Sequence, residues 1–412
     1  MAQVITEPRL AIDELSSRGI MYAVLCVVIL VQYAYVFTFN WVPELRLPLS
    51  SALAGIHVVA AGLTILLRPA AWNKLLLLSA VLLFGAMIPP HALGFGEVQG
   101  FDMVGALRKL VLPLMMIWVL AYPLAIPRRL ITVVAVCATV AGCVIAITGD
   151  PVYVSGTPRL GSITGGPTQM HPSAKFLALQ LVLLDLLWRG RMLSGRVAWP
   201  LIGLTFIVLD AYGGRNEMVF VLAYYAALAY FHWRHITIVR YAPPLLLILG
   251  ILAAAIAFSV STGVEAWGSG RIGVWTYRLQ LIAERDIMPF LFGGGVGADV
   301  VWTPQWWFFE DGSTAHNDYL HIVMESGVVG LIALGALVLG LWLRLYEEGR
   351  AIIIAVLVNS MFANGFFQSP LLAMNMTLIL AYSIVVSLSR TALTATRNHR
   401  MENAGASETA HR

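Results

Sequence analysis

The sequence predicts an all-α membrane protein, a polytopic helical bundle of about twelve spans. Three observations predict it. Only 12% of the 412 residues are charged and 59% are hydrophobic, with a mean hydropathy of +0.80; a soluble chain carries roughly a quarter charged residues. Apolar runs close to the ~20 residues a spanning helix needs recur along the chain. The basic residues between those runs concentrate in alternate loops, as orientation in a membrane requires. This composition excludes a soluble enzyme, a disordered chain and a disulfide scaffold.

The elements follow in order. Residues 1–18 are mixed in charge and too acidic for a signal-peptide start, so they read as a cytoplasmic tail ahead of an uncleaved first span. Spans are expected near 19–39, 47–67, 75–93, 104–125, 130–148, 176–188, 197–212, 218–231, 241–260, 319–343, 350–368 and 370–389. Two of them, 176–188 and 218–231, are short for a full crossing. The membrane domain thus covers 19–390, and the polar tail 391–412 reads as disordered. Apart from Arg350 at the first position of its span, the charged residues inside the spans are Arg108, Lys109, Asp185, Asp210 and Glu325. Cys26, Cys137 and Cys143 lie in apolar runs without ligand spacing and read as small core residues. No repeat at solenoid periods is present. The net charge of +4 is too small to point to a nucleic-acid partner.

With the N-terminus inside, most basic residues fall on the inner side, among them Arg68, Lys74, Arg128, Arg129, Arg189, Arg191, Arg344 and Arg350. Both termini are then cytoplasmic. The exceptions are informative. Arg159 and Lys175 belong to an outer loop at 149–175, Arg215 to a tight outer turn, and Arg271, Arg278 and Arg285 to the longest outer loop, 261–318, between spans nine and ten. Arg108 and Lys109 sit one turn into span four, where they line the same outer side or snorkel to the surface. A basic residue on the translocated side runs against the bias. Either it is a solvated loop charge, or something keeps it there.

Within the long loop, the stretch from Arg271 reads as a short amphipathic helix with Trp275, Leu279 and Ile282 as an apolar stripe. Arg271, Arg278 and Arg285 recur every seven residues and, if the helix covers the whole stretch, form a basic row beside it. Anchoring to anionic headgroups is the plainer role for Arg278 and Arg285. The glycines of FGGGVGADV lack the Lys-Ser/Thr and flanking strand of a phosphate loop, so a flexible or tightly turned backbone is expected. Trp302, Trp306, Trp307, Phe308 and Phe309 read as interface anchors or as apolar faces for a sugar or lipid. Ser313 or Thr314 is expected to cap the next helix, with His316 in its first turn, where the helix N-terminus helps keep an imidazole neutral. A neutral histidine there suits a general base, or a partner for a hydroxyl. His321 is read as structural.

Four local patterns, in order, carry a family resemblance: RLGSITGGPTQMHPSAKFLALQL, GGRNEMVF with Arg215, GRIGVWTYRL with Arg271, and AHNDYLHIVMESGVVGLI with His316. Together they resemble the O-antigen ligase-related family of bacterial membrane glycosyltransferases. The last pattern, His-Asn-x-Tyr-Leu followed by Glu-x-Gly-x-x-Gly, is the most specific. The turn before Arg215 reads Tyr-Gly-Gly where the family has Ser-Arg, which leaves ligases, polymerases and protein-glycosylating relatives all open. The resemblance implies an inner-membrane enzyme with a periplasmic site, taking a glycan from undecaprenyl diphosphate. Its acceptor would be lipid A core, or a growing glycan in a polymerase. It further implies that Arg215 and Arg271 bind the diphosphate and that His316 activates the acceptor hydroxyl. Arg159, Lys175, Arg278 and Asn317 are supporting substrate contacts. No cofactor or metal is expected, since no Asp-x-Asp or His/Cys ligand spacing occurs in the outer loops. The rival from another class is a transporter or flippase of lipid-linked sugars, for which about twelve helices is also a common plan; such proteins place ionisable residues and broken helices near the midplane.

Overall fold

The computed structural model describes residues 8–41, 46–67, 74–96, 103–122, 125–154, 157–163, 170–213, 215–236, 271–304, 312–362, 372 and 375–389. The expected span 241–260, the cluster from Trp306 to Phe309 and the tail 391–412 lie outside the described residues. The chain is mostly helical. Its helices are α1 (Pro8–Trp41), α2 (Arg46–Leu67), α3 (Lys74–Met87), α4 (Pro89–Ala92), α5 (Met103–Val119), α6 (Arg128–Thr148), α7 (Met170–Arg189), α8 (Gly195–Ala211), α9 (Arg215–Trp233), α10 (Arg271–Ala283), α11 (Ile287–Phe292), α12 (Asp318–Arg344) and α13 (Glu347–Ser360), followed by α14 (Asn375–Ser389). Among the described residues, three helical stretches are long and apolar enough to cross a membrane: Lys74–Ala92, Arg128–Thr148 and Asp318–Arg344.

The described residues fit the expected all-α class, with one two-stranded sheet besides the helices. The loop after α6 contains an antiparallel hairpin, β1 (Pro151–Val154) with β2 (Thr157–Gly161), in which Val152 is opposite Arg159 in the ladder. Val152, Tyr153 and Val154 supply the β-branched and aromatic side chains that strands favour.

Two compact units are present. One comprises 1–53, 119–214 and 377–412; the other comprises 54–118 and 215–376. In the first, α6 packs on α1, α7, α8 and β2. Its pattern is the reverse of a soluble helix. Ala135, Ala138, Gly142, Cys143 and Ala146 are buried, whereas Val133, Val140, Val144 and Ile147 are exposed. Small residues let helix backbones approach closely, and large apolar side chains turned outward need a lipid environment. Tyr212, at the end of α8, is buried and donates its hydroxyl proton to the Gly161 carbonyl. The Tyr-Gly-Gly turn therefore ties the end of α8 to the strand that carries Arg159.

In the second unit α12 runs beside α3, α9 beside α13, and both α10 and α11 lie against α12. α12 is broken at Gly327, whose φ of 60° and ψ of −157° leave the helical region. The break accepts the glycine loop that follows α11. Gly294 N–H donates to the Met324 carbonyl at 2.8 Å and Gly295 N–H to that of Glu325 at 3.2 Å. Of the two expectations for these glycines, flexible or tightly turned, the second describes them, and the tight turn docks on α12.

Candidate functional site

Three helices of the second unit begin at one place, the C-terminal end of α13. Asn359 donates its side-chain N–H to the Asn216 carbonyl, at the start of α9. Ser360 Oγ donates to Asp318 Oδ2 at 2.9 Å, in the first turn of α12. Arg271, the first residue of α10, donates from Nη1 to the Phe362 carbonyl at 2.8 Å and to Asn216 Oδ1 at 3.3 Å. Asn317 Nδ2 donates to the Met361 carbonyl at 3.0 Å. Four consecutive residues, 359–362, thereby hold the starts of α9, α10 and α12 together. Helix N-termini carry partial positive charge and favour anions.

This arrangement brings together three of the sequence-predicted site residues. Arg215 is the first residue of α9, next to the Asn216 that Arg271 grips. His316 lies two residues ahead of α12, beside the capping Asn317. Trp275, one turn beyond Arg271, donates from Nε1 to the Ala315 carbonyl at 2.7 Å, which fixes α10 against the residue preceding His316. Among the described residues, Nη2 and Nε of Arg271 have no partner, so one edge of the guanidinium anchors the protein and the other is unspent. Burial pulls the Arg271 guanidinium below its ordinary value, and the charge of Glu217 counters this.

Several expectations are corrected. Ser313 and Thr314 do not cap α12; Asn317 does, its Oδ1 accepting from Tyr319 N–H at 3.0 Å and Leu320 N–H at 3.1 Å. Ser313 is instead paired through its backbone with Val301, at 3.1 Å in both directions. His316 therefore stands outside the first turn, in the left-handed region at φ 49°. Asn317, taken as a substrate contact, spends its carboxamide on the cap and on Met361. The basic row does not form either. α10 ends at Ala283, before Arg285, whose Nη1 reaches the Val323 carbonyl at 3.3 Å. The inward stripe of α10 is Val274, Arg278 and Ile282, while Leu279 is exposed.

Arg278 is fully buried, which overturns its reading as a substrate or headgroup contact. Its Nε donates to Asp299 Oδ1 at 2.7 Å, and its Nη2 donates to the carbonyls of Asp299 and Ser313. Asp299 Oδ2 also accepts from Ala315 N–H at 2.9 Å and lies 3.0 Å from His321 Nδ1. His321 Nε2 is 2.9 Å from Glu325 Oε2, and Glu325 Oε1 accepts from Gly297 N–H at 2.7 Å. Burial alone would push the Asp299 carboxyl up. Hydrogen bonding and charge from His321, the Arg278 charge and the Ala315 amide outweigh it and hold the group below the usual carboxylate range. A buried charge is tolerated only when paired in this way. The sequence reading had His321 as structural but missed Asp299 altogether. Its signal, an aspartate closing a glycine-rich turn, is too common to stand out.

Arg159 and Lys175 belong to the other unit. Arg159 is in β2, and Lys175, in the first half of α7, is buried. Among the described residues no group of three or more His, Cys, Asp or Glu side chains is arranged to hold a metal ion. No family model matches this chain, and no curated protein matches it.

Proposed function

We propose that this chain is a membrane glycosyltransferase of the inner membrane. In this reading about twelve spans place both termini in the cytoplasm and the cluster of Arg215, Arg271 and His316 at the periplasmic surface. The donor is a saccharide on undecaprenyl diphosphate, and the acceptor is a hydroxyl of lipid A core, the ligase reaction. The observation that carries the reading is the half-spent Arg271. Its Nη1 is fixed where three helix N-termini meet, α9 beginning at Arg215 and α12 two residues after His316; its other edge, unengaged among the described residues, has the fork geometry that phosphate oxygens accept.

In the reaction the acceptor oxygen attacks the anomeric carbon. The bond from that carbon to the diphosphate oxygen breaks, and undecaprenyl diphosphate leaves with the electron pair. Arg215 and Arg271 counter its growing charge, and His316 takes the hydroxyl proton. Transfer onto a second donor molecule, the polymerase reaction, would use the same groups.

Carriage of the lipid-linked sugar is a second reading, and one observation favours it: α12 is broken beside Glu325, a feature of transporters. Glu325 is paired with His321, however, and Asp185 in α7 is paired with Arg189 at 2.6 Å, so these intramembrane charges have structural partners. The deciding test is an assay of purified protein with an undecaprenyl-diphosphate-linked oligosaccharide, with lipid A core offered as acceptor. A new glycosidic bond, formed in the presence of EDTA, is expected. His316→Ala should lower turnover by about a hundredfold or more while reaching the membrane in normal amount. Full turnover by that variant, or movement of donor without bond formation, would sink the proposal.

A further inference from the structure

Resting on the reading of His316 as the group that meets the acceptor hydroxyl, we infer that Asp299 is the positioning residue that sets its backbone. His316 is a non-glycine residue with a φ of 49°, a left-handed conformation that L side chains disfavour and that the surrounding contacts hold in place. The imposed geometry comes from both sides. On one side Asn317 is fixed as the cap of α12, donating to Met361 as well. On the other, Ala315 is gripped twice: its N–H by Asp299 Oδ2 at 2.9 Å, and its carbonyl by Trp275 Nε1 at 2.7 Å.

Asp299 does more than hold one amide. The same Oδ2 faces His321 Nδ1 at 3.0 Å, one turn into α12, so a single oxygen spans the left-handed bend from Ala315 to His321. Its Oδ1 is kept in place by Arg278 Nε at 2.7 Å, and Arg278 also donates to the Ser313 carbonyl. Asp299 and Arg278 are both wholly shielded from solvent, so neither meets substrate. Their effect on transfer passes through the path of the chain at 313–316. A misplacement of about 1 Å at a reacting group costs on the order of a hundredfold in rate, which gives such a clamp its leverage.

The test separates positioning from mere stability. Purified enzyme is assayed with an undecaprenyl-diphosphate-linked oligosaccharide, and kcat is normalised to folded protein. Asp299→Asn keeps an acceptor but loses the charge that holds Arg278. It should lower kcat by roughly tenfold to a hundredfold and leave the KM for the donor within about twofold. Should that variant fail to accumulate, an amide-to-ester exchange at Ala315, made by incorporating the hydroxy acid, replaces the N–H that Asp299 accepts with an ester oxygen and leaves every side chain in place. The ester protein should show the same kcat loss at unchanged KM. Wild-type kcat from either protein overturns the inference and leaves Asp299 a structural ion pair. The parent reading fails separately, by full turnover of His316→Ala, whatever Asp299 does.

Discussion

Arg271 and Arg278 lie seven residues apart on one helix, and a helical projection puts them on nearly the same face. Their surroundings make them different residues. Arg278 is taken out of water and has Asp299 as a counter-charge at 2.7 Å; removing one partner of such a pair typically costs about 3–5 kcal/mol. Arg271 is only partly buried, and its guanidinium keeps one edge unengaged among the described residues. Lysine at 271 would retain a positive charge but could not hold Phe362 and Asn216 while presenting a planar edge to phosphate. On the proposed function, Arg271→Lys is therefore expected to lower kcat by about tenfold or more, measured on the purified protein with the lipid-linked donor. Full activity would mean that a point charge suffices there. His316 and Arg271 stand out in the sequence, Arg271 as a basic residue in a loop expected on the outer side and His316 as a histidine just ahead of a helix. Asp299 does not, because its role depends on contacts to residues 278, 315 and 321, and no local pattern links them.

The helices themselves were largely foreseeable, since apolar runs leave little choice in lipid but a helix. Their ends were not. A Ser, a Thr and an Asn precede α12 within five residues, and all three are good caps; the tertiary pairing of Ser313 with Val301 decides for Asn317. The motif Glu-x-Gly-x-x-Gly likewise acquires a physical meaning only in the fold. Glu325 receives the Gly297 amide, and Gly327 breaks the helix so that Gly293 can dock. A methyl group on Gly327 would collide with the Leu291 carbonyl, and one on Gly293 with that of Glu325. Both glycines have positive φ, 60° and 78°, so neither space nor conformation admits a side chain. Gly327→Ala should destabilise the second unit by roughly 3 kcal/mol or more, read as a fall in the thermal midpoint of the detergent-solubilised protein. Gly335→Ala, with open space around its α-carbon, is the control and should be neutral or slightly stabilising.

Across the whole chain the scarce charges divide by job. Some are expected from the sequence to act as orientation signals. Others are consumed by pairing that composition cannot show: Asp185 with Arg189, Asp299 with Arg278, and Arg234 with Glu347 at 2.8 Å. The last pair joins a residue just after α9 to the first of α13, at the opposite end of both helices from the Asn216–Asn359 contact. The two helices are therefore antiparallel neighbours, with Arg271 and His316 at one end and Arg234 at the other. If the positive-inside bias governs this chain, the Arg234 end is cytoplasmic and the His316 end faces the periplasm. Cysteine labelling tests this directly. In a background with Cys26, Cys137 and Cys143 replaced by Ala, a cysteine at exposed Trp302 should react with a membrane-impermeant maleimide in intact cells. A cysteine at exposed His235 should react only after the membrane is opened. Labelling of position 235 alone in intact cells would invert the topology. It would put the arginines and His316 on the cytoplasmic side, away from the face at which an outward-presented lipid-linked glycan is met.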